Sequence, residues 1–167
     1  MRKRESAMLH LEELNNDNIW DVANLKVFRA QKSFVASNEW SIVQAYAVRN
    51  TPCKVFPFGI FKGKRPVGFV MIAYNVAASY DEPLEIHKDN YYIWRFMIDK
   101  RYQGRGYGRE AMQLALDFIR TWPCGEAEYC SLSYEPENEV AAKLYRSFGF
   151  VETGDMDGGE VVAALKL

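Results

Sequence analysis

The apolar positions of this chain change period several times, and each change marks a new element. Leu9, Leu11 and Leu14 suggest a first strand, after which Asn16 or Asp17 stands as the cap of a helix with Ile19, Val22, Leu25 and Phe28 on its inner face. A second helix, capped by Ser37 or Asn38, carries Trp40, Val43 and Ala47 with Ile42 and Tyr46, a broad apolar face. Residues 31–38 between them are too apolar at Phe34 and Val35 for an idle solvent loop, and either line a pocket or pack on the sheet. Two β-rich runs, 55–61 and 66–74, flank a polar glycine-containing turn at 62–65 and read as an antiparallel hairpin. Residues 76–90 break the pattern with Ala, Ser, Pro and the carboxylates Asp81, Glu82, Glu85 and Asp89, which predicts a mobile acidic loop, a solvated face or the rim of a cation site.

The run 91–98 is aromatic, β-branched and apolar except for Arg95, so it predicts a buried strand. After a glycine-rich turn, Ala111, Met112, Ala115, Leu116 and Ile119 fall at helical spacing, placing a helix start at Tyr107 or Gly108. Trp122-Pro-Cys-Gly125 stops that helix, and 128–134 alternates as another strand. Asn138 then opens a short helix with Val140, Ala141, Leu144, Tyr145 and Phe148 on its apolar side, ended by Gly149. Residues 150–154 and 161–167 form a last hairpin turned at Asp157-Gly-Gly159. The resulting order β-α-α-β-β-β-α-β-α-β-β contains no repeat and no linker.

The stretch 97–109 carries the chemistry. Gly104, Gly106 and Gly108 let backbone N–H groups converge and a ligand approach closely, and the N-terminus of the following helix adds partial positive charge, which makes an anion site. One or two glycines in a strand-to-helix turn would be ordinary, but here three alternate with Arg101, Arg105 and Arg109 in the same segment. A P-loop is excluded because no Gly-Lys-Ser/Thr follows, and the dinucleotide fingerprint fails where Arg109 stands in place of its third glycine.

With 167 residues, 49% of them hydrophobic, the chain can bury the core of one domain. Its net charge of −1 gives no reason to expect nucleic acid or a membrane surface as partner. No apolar run approaches the roughly 20 residues of a membrane span, and the N-terminus lacks the apolar core of a signal peptide, so a cytoplasmic location is expected. Cys53, Cys124 and Cys130 lack metal-ligand spacing and stand far from His10 and His87, so neither a metal nor a disulfide is expected.

Gln103-Gly-Arg-Gly-Tyr-Gly108 matches the Q/R-x-x-G-x-G/A signature, and Asn138-Glu-Val-Ala-Ala-Lys-Leu-Tyr-Arg-Ser-Phe-Gly-Phe150 matches N-x-x-A-x-x-L-Y-x-x-x-G-F, both motifs of the GNAT superfamily of N-acetyltransferases, which the chain resembles. The resemblance implies an α/β (α+β) GNAT fold, with a mixed, mostly antiparallel twisted sheet of about seven strands flanked by about four helices. It also implies a single acetyltransferase domain over 8–167 behind a flexible extension at 1–7, working as a homodimer, which sedimentation at micromolar concentration would register. Acetyl-CoA is the implied cosubstrate, with no metal. Its pyrophosphate would lie against Gln103, Gly104, Arg105, Gly106, Tyr107, Gly108 and Arg109, its pantetheine arm along Met97 and Ile98, with Asn138 also on the arm. Tyr145 would be the general acid that protonates the leaving thiolate, a role its chemistry allows because a phenol of pKa about 10 is protonated at neutral pH. A Tyr on a short amphipathic helix more often simply packs.

A closer likeness runs over nearly the whole chain. Phe34-Val-Ala-Ser-Asn38, Trp94-Arg-Phe-Met-Ile-Asp99 and Ser133-Tyr-Glu-Pro-Glu-Asn138 are similar to bacterial spermidine/spermine acetyltransferases, which implies transfer to a polyamine by direct attack in a ternary complex. The alternatives are an aminoglycoside, another small amine or a protein N-terminus, and beyond those a non-enzymatic acyl-CoA-binding domain. The animal enzymes carry acidic residues ahead of the glycine turn, where this chain reads Tyr92-Ile-Trp-Arg95, so their base does not carry over. Glu82, Glu85, Glu135 and Glu160 remain as candidate bases and as charges for a cationic substrate, with Phe34, Tyr80 and Trp94 as faces for its methylenes.

Overall fold

The computed structural model describes residues 8–167; the extension expected over 1–7 lies outside the described residues. Seven strands form one sheet in the order β1-β2-β3-β4-β5-β7-β6, where β1 is Leu9–Glu13, β2 Lys54–Lys62, β3 Arg65–Tyr74, β4 Tyr91–Ile98, β5 Tyr129–Tyr134, β6 Val151–Asp157 and β7 Glu160–Lys166. Helices α1 (Ile19–Ala23), α2 (Asn38–Ala47), α3 (Tyr107–Ile119) and α4 (Glu139–Ser147) flank it. The sheet divides two cores. One holds Ala111, Met112, Leu116, Ala142 and Tyr145 from α3 and α4, the other Val22, Leu25, Val48, Tyr92 and Trp94 beneath α1 and α2.

Among the described residues every strand pairing is antiparallel except that of β4 with β5, which is parallel and lasts for three residue pairs, Tyr91 with Cys130 to Ile93 with Leu132. The reason for its shortness lies on the other edge of β4. There the register against β3 slips between Ile93 and Arg95, leaving Trp94 as an extra residue that bends the strand. Beyond the bulge β4 stays on β3 while β5 follows β7, and the sheet opens. The expected parting of strands 91–99 and 128–134 is therefore present.

Three expectations need correction. The first helix starts behind Asn18, not Asn16 or Asp17, and ends at Ala23 instead of reaching Phe28, which is 49% exposed. Asn24 turns its side chain back on the Trp20 carbonyl (2.8 Å), and the Asp99 carboxylate takes the Lys26 amide at 2.9 Å, a tertiary bond that competes with another helical turn. On α2, Ser37 is the cap, receiving Trp40 N–H, but Trp40, Val43 and Tyr46 face outward at 64%, 55% and 66% exposure while Asn38 and Ser41 are buried. A helix apolar nearly all round gives sequence pattern no means of choosing the buried side. The loop 76–90 is anchored instead of loose: it makes two short 3₁₀ turns, 76–79 and 85–87, and buries Val76, Ala77 and His87.

Candidate functional site

A cavity of about 850 Å³ occupies the gap between β4 and β5 and passes through the sheet. On the α3 and α4 face its walls are Tyr107, Gly108, Asn138, Leu144 and Tyr145; on the other they are Gln31, Phe34, Trp94 and Glu160. Two reactants can thus reach a common centre from opposite faces.

The glycine turn forms as its sequence requires. Gly104 (φ +73°) and Gly106 (φ +80°) lie in the left-handed region, and an added Cβ at either would meet no atom of the described residues within 4 Å, so the conformation alone selects glycine there. Gly106 is the N-cap of α3, with the free amides of the first turn directly after it. Gly108 is already helical, and its Cβ would sit 3.8 Å from Leu144, an ordinary contact.

Strand alternation sorts the backbone of β4. Asp99 donates its N–H to Val67 of the β3 side, so Met97, two residues earlier and paired with Phe69, also spends its backbone groups on β3. Phe96 and Ile98 therefore turn theirs toward the gap, where Ile98 O accepts Gln103 Nε2 at 2.9 Å. Met97 lines the cavity, but its neighbour Phe96, absent from the sequence expectation, has the outward backbone groups.

The remaining residues expected on the cofactor divide as follows. Gln103 lines the cavity but its amide is committed to Ile98 O and to a reciprocal pair with Gln31 at 2.9 and 3.0 Å, which braces the 29–36 segment on the turn. Arg105 and Arg109 are not on the cavity wall. Arg105 lies over the Tyr102 ring at 5.6 Å, and Arg109 reaches α4, bonding Ser147 at 3.0 Å. Asn138 uses Oδ1 to cap α4 on Ala141 N–H (3.3 Å), which leaves Nδ2 free among the described residues.

Tyr145 is 8% exposed and packs between Tyr134 and Phe150, with ring centroids 5.7 and 6.1 Å away. Its hydroxyl has no hydrogen-bond partner among the described residues, yet it is not one of the sealed, unpartnered polar atoms, which are the His87 ring nitrogens and Ser131 Oγ. It therefore opens on the cavity that Tyr145 lines. Burial, helped by the negative charge of Glu160, pushes its phenol well above the ordinary tyrosine value.

Of the acidic candidates, Glu160 alone lines the cavity. Ser133 donates to it and contacts Tyr92 Oη at 2.8 Å, so carboxylate, hydroxyl and phenol form one chain inward. Burial pushes the Glu160 carboxyl above its usual range, and the charges of Glu135 and Asp157 add to that against the opposing Ser133 bond and Arg95. Glu135 is half-buried beside the cavity, not on it; Glu82 is exposed, and Glu85 is exposed and paired with Lys88 at 2.7 Å. The structure does not bring those two to the site, because burying His87 and the 76–79 turn leaves the intervening carboxylates outward. Phe34 and Trp94 do line it, and Tyr80 backs Trp94 with centroids 6.4 Å apart. Arg95, noted in the sequence only as an interruption, also lines the cavity, its guanidinium held by Ser41, Gln44 and the Trp94 carbonyl at 2.7–3.2 Å. A lone cation in a buried run was the signal for it.

The Acetyltransferase (GNAT) family matches residues 19–150, and the chain belongs to that family. It is accordingly an acetyl-CoA-dependent N-acetyltransferase. It is 29% identical over 164 residues to the spermine/spermidine N(1)-acetyltransferase of Bacillus subtilis (strain 168), covering 95% of this chain and 99% of that protein. Its fold is that of AAC(6')-Ib in complex with ribostamycin and coenzyme A (TM-score 0.75, 16% identity, 95% of this chain and 93% of that one). It is likewise that of the PaiA N-acetyltransferase from Thermoplasma acidophilum in complex with coenzyme A (TM-score 0.62, 15% identity, 95% and 99%). Among the described residues no helix is long and apolar enough to cross a membrane, and no group of three or more His, Cys, Asp or Glu is placed to hold a metal.

Proposed function

We propose that the acceptor is a linear polyamine such as spermidine or spermine, acetylated by direct attack in a ternary complex. The observation that carries this reading is Glu160, a carboxylate in the cavity wall on the α1 and α2 face with Glu135 and Asp157 near enough to raise its pKa. A carboxylate on the wall, with further negative charge close behind it, favours a cation, and the rings of Phe34 and Trp94 on the same wall suit its methylenes. The relative in Bacillus subtilis supports the same acceptor class.

In this reading acetyl-CoA enters from the α3 and α4 face. The residues present fit it: a glycine turn open to close approach, free amides at the start of α3, and the outward backbone groups of Phe96 with the outward N–H of Ile98, whose carbonyl is taken by Gln103. Bound there, it supplies the thioester that the amine attacks and the thiolate that leaves. The chain's own groups handle the protons. An amine of pKa about 10 arrives mostly as ammonium and must lose a proton; Glu160, whose raised pKa makes it a stronger base than a surface carboxylate, takes it. Tyr145 keeps its proton at Oη on the cofactor side for the departing sulfur, and is restored by the second proton that the nitrogen sheds once it is acylated.

An amine panel read by release of free coenzyme A tests the acceptor. Spermidine or spermine should saturate at sub-millimolar concentration and bind more weakly as salt is added. If polyamines turn over no faster than a monoamine while an aminoglycoside or peptide saturates, the polyamine assignment is lost and the acetyltransferase stands. In the same assay, activity should rise with pH through a carboxyl pKa raised above its ordinary value, because a base works only when deprotonated. Glu160→Gln should remove that acidic limb. A limb that survives the substitution assigns the base elsewhere.

A further inference from the structure

A second hollow, of about 440 Å³, lies between the β2–β3 turn and the start of α3. Lys62, Lys64 and Arg65 reach it from the hairpin and Arg105 from the glycine turn, while Tyr102 and Tyr107 line both this hollow and the main cavity. The two are therefore contiguous. Among the described residues none of the four cations is in an ion pair. Lys62 Nζ donates to Tyr107 Oη at 2.8 Å and lies 4.8 Å from the ring centroid, fixing Tyr107 as the partition between the hollows. Arg105 is steadied by the Arg101 carbonyl at 3.0 Å. The opposite rim of the cleft has the other sign, since Glu137 and Glu139 line the main cavity at the start of α4.

Coenzyme A carries, besides its pyrophosphate, a phosphate monoester on the ribose with a charge of about −1.5 to −2 at neutral pH. The glycine turn and the first turn of α3 offer amides for the pyrophosphate but no side-chain cation of their own on the cavity wall. The acidic α4 rim would repel a further phosphate, whereas unpaired cations stand directly beside the turn on the hairpin side. We propose that this basic hollow is the subsite for the ribose 3′-phosphate of coenzyme A, with Lys64 and Arg65 as its exposed ligands. The proposal rests on the reading that the pyrophosphate lies at the glycine turn.

Calorimetry with coenzyme A and 3′-dephospho-coenzyme A tests it. The wild-type chain should bind coenzyme A about tenfold more tightly, the scale of one or two hydrogen bonds to a charged group. The double variant Lys64→Gln/Arg65→Gln should lose that preference, its coenzyme A affinity falling to the dephospho value while its dephospho affinity stays at the wild-type level. That unchanged dephospho affinity also shows that the fold and the glycine turn are intact. A wild type indifferent to the 3′-phosphate, or a double variant that keeps the preference, overturns the subsite and leaves the glycine turn as the pyrophosphate site. Failure of the wild type to bind either ligand overturns the cofactor reading itself, and the subsite with it.

Discussion

Tyr145→Phe is expected to lower turnover about 100-fold or more while leaving coenzyme A affinity unchanged. The ring of Tyr145 is what packs, between Tyr134 and Phe150, and phenylalanine keeps it. The hydroxyl makes no bond to the described residues, so its removal strands no partner and costs little stability. What is lost is a proton donor facing the cavity. Because burial raises the phenol's pKa, the group stays protonated through the neutral range, and the loss should be nearly constant with pH there. Steady-state turnover alongside calorimetry separates the cases: unchanged turnover reassigns Tyr145 to packing, and a parallel fall in affinity makes it a binding residue.

Gly106→Val is expected to abolish measurable coenzyme A binding in a chain that remains folded. At φ +80° a β-branched residue is strained regardless of space, and no atom of the described residues lies within 4 Å of the added Cβ to explain a loss by clash. Relief of that strain requires the turn to move, which takes the amides at the start of α3 away from their common focus. The core residues of α3, from Ala111 to Ile119, are buried independently of the turn and should hold the helix. Calorimetry for binding and circular dichroism for the fold provide the measurement. Normal affinity would mean that the phosphates sit elsewhere, and Gly108→Ala, at a helical position with only a 3.8 Å contact to Leu144, is the control that leaves the turn conformation untouched.

Local pattern proved a good guide wherever the apolar period and the punctuation agreed. The start of α3 at Tyr107, the Ser37 and Asn138 caps and the 62–65 turn are set by bonds within a few residues, so sequence specifies them. It failed at the first helix, where Lys26 N–H is captured by Asp99, 73 residues away, and on α2, where apolar residues lie on both sides. The site shows the same division. The two motifs identified the glycine turn, Asn138 and Tyr145 as neighbours of one cavity, but not that Gln103 would be committed to Gln31 or that Phe96, not Met97, would turn its backbone outward.

The sequence by itself determined the order of the elements and the conformation of the glycine turn, because these depend on backbone preference and on hydrophobic spacing over short range. Tertiary structure decided the rest. The Trp94 bulge splits β4 from β5, the burial of His87 turns Glu82 and Glu85 away, and β7 inserted beside β5 brings Glu160 to Ser133 and Tyr92. Each of those outcomes depends on which distant strand supplies a neighbour, and a carboxylate becomes a candidate base only when such a neighbour buries it.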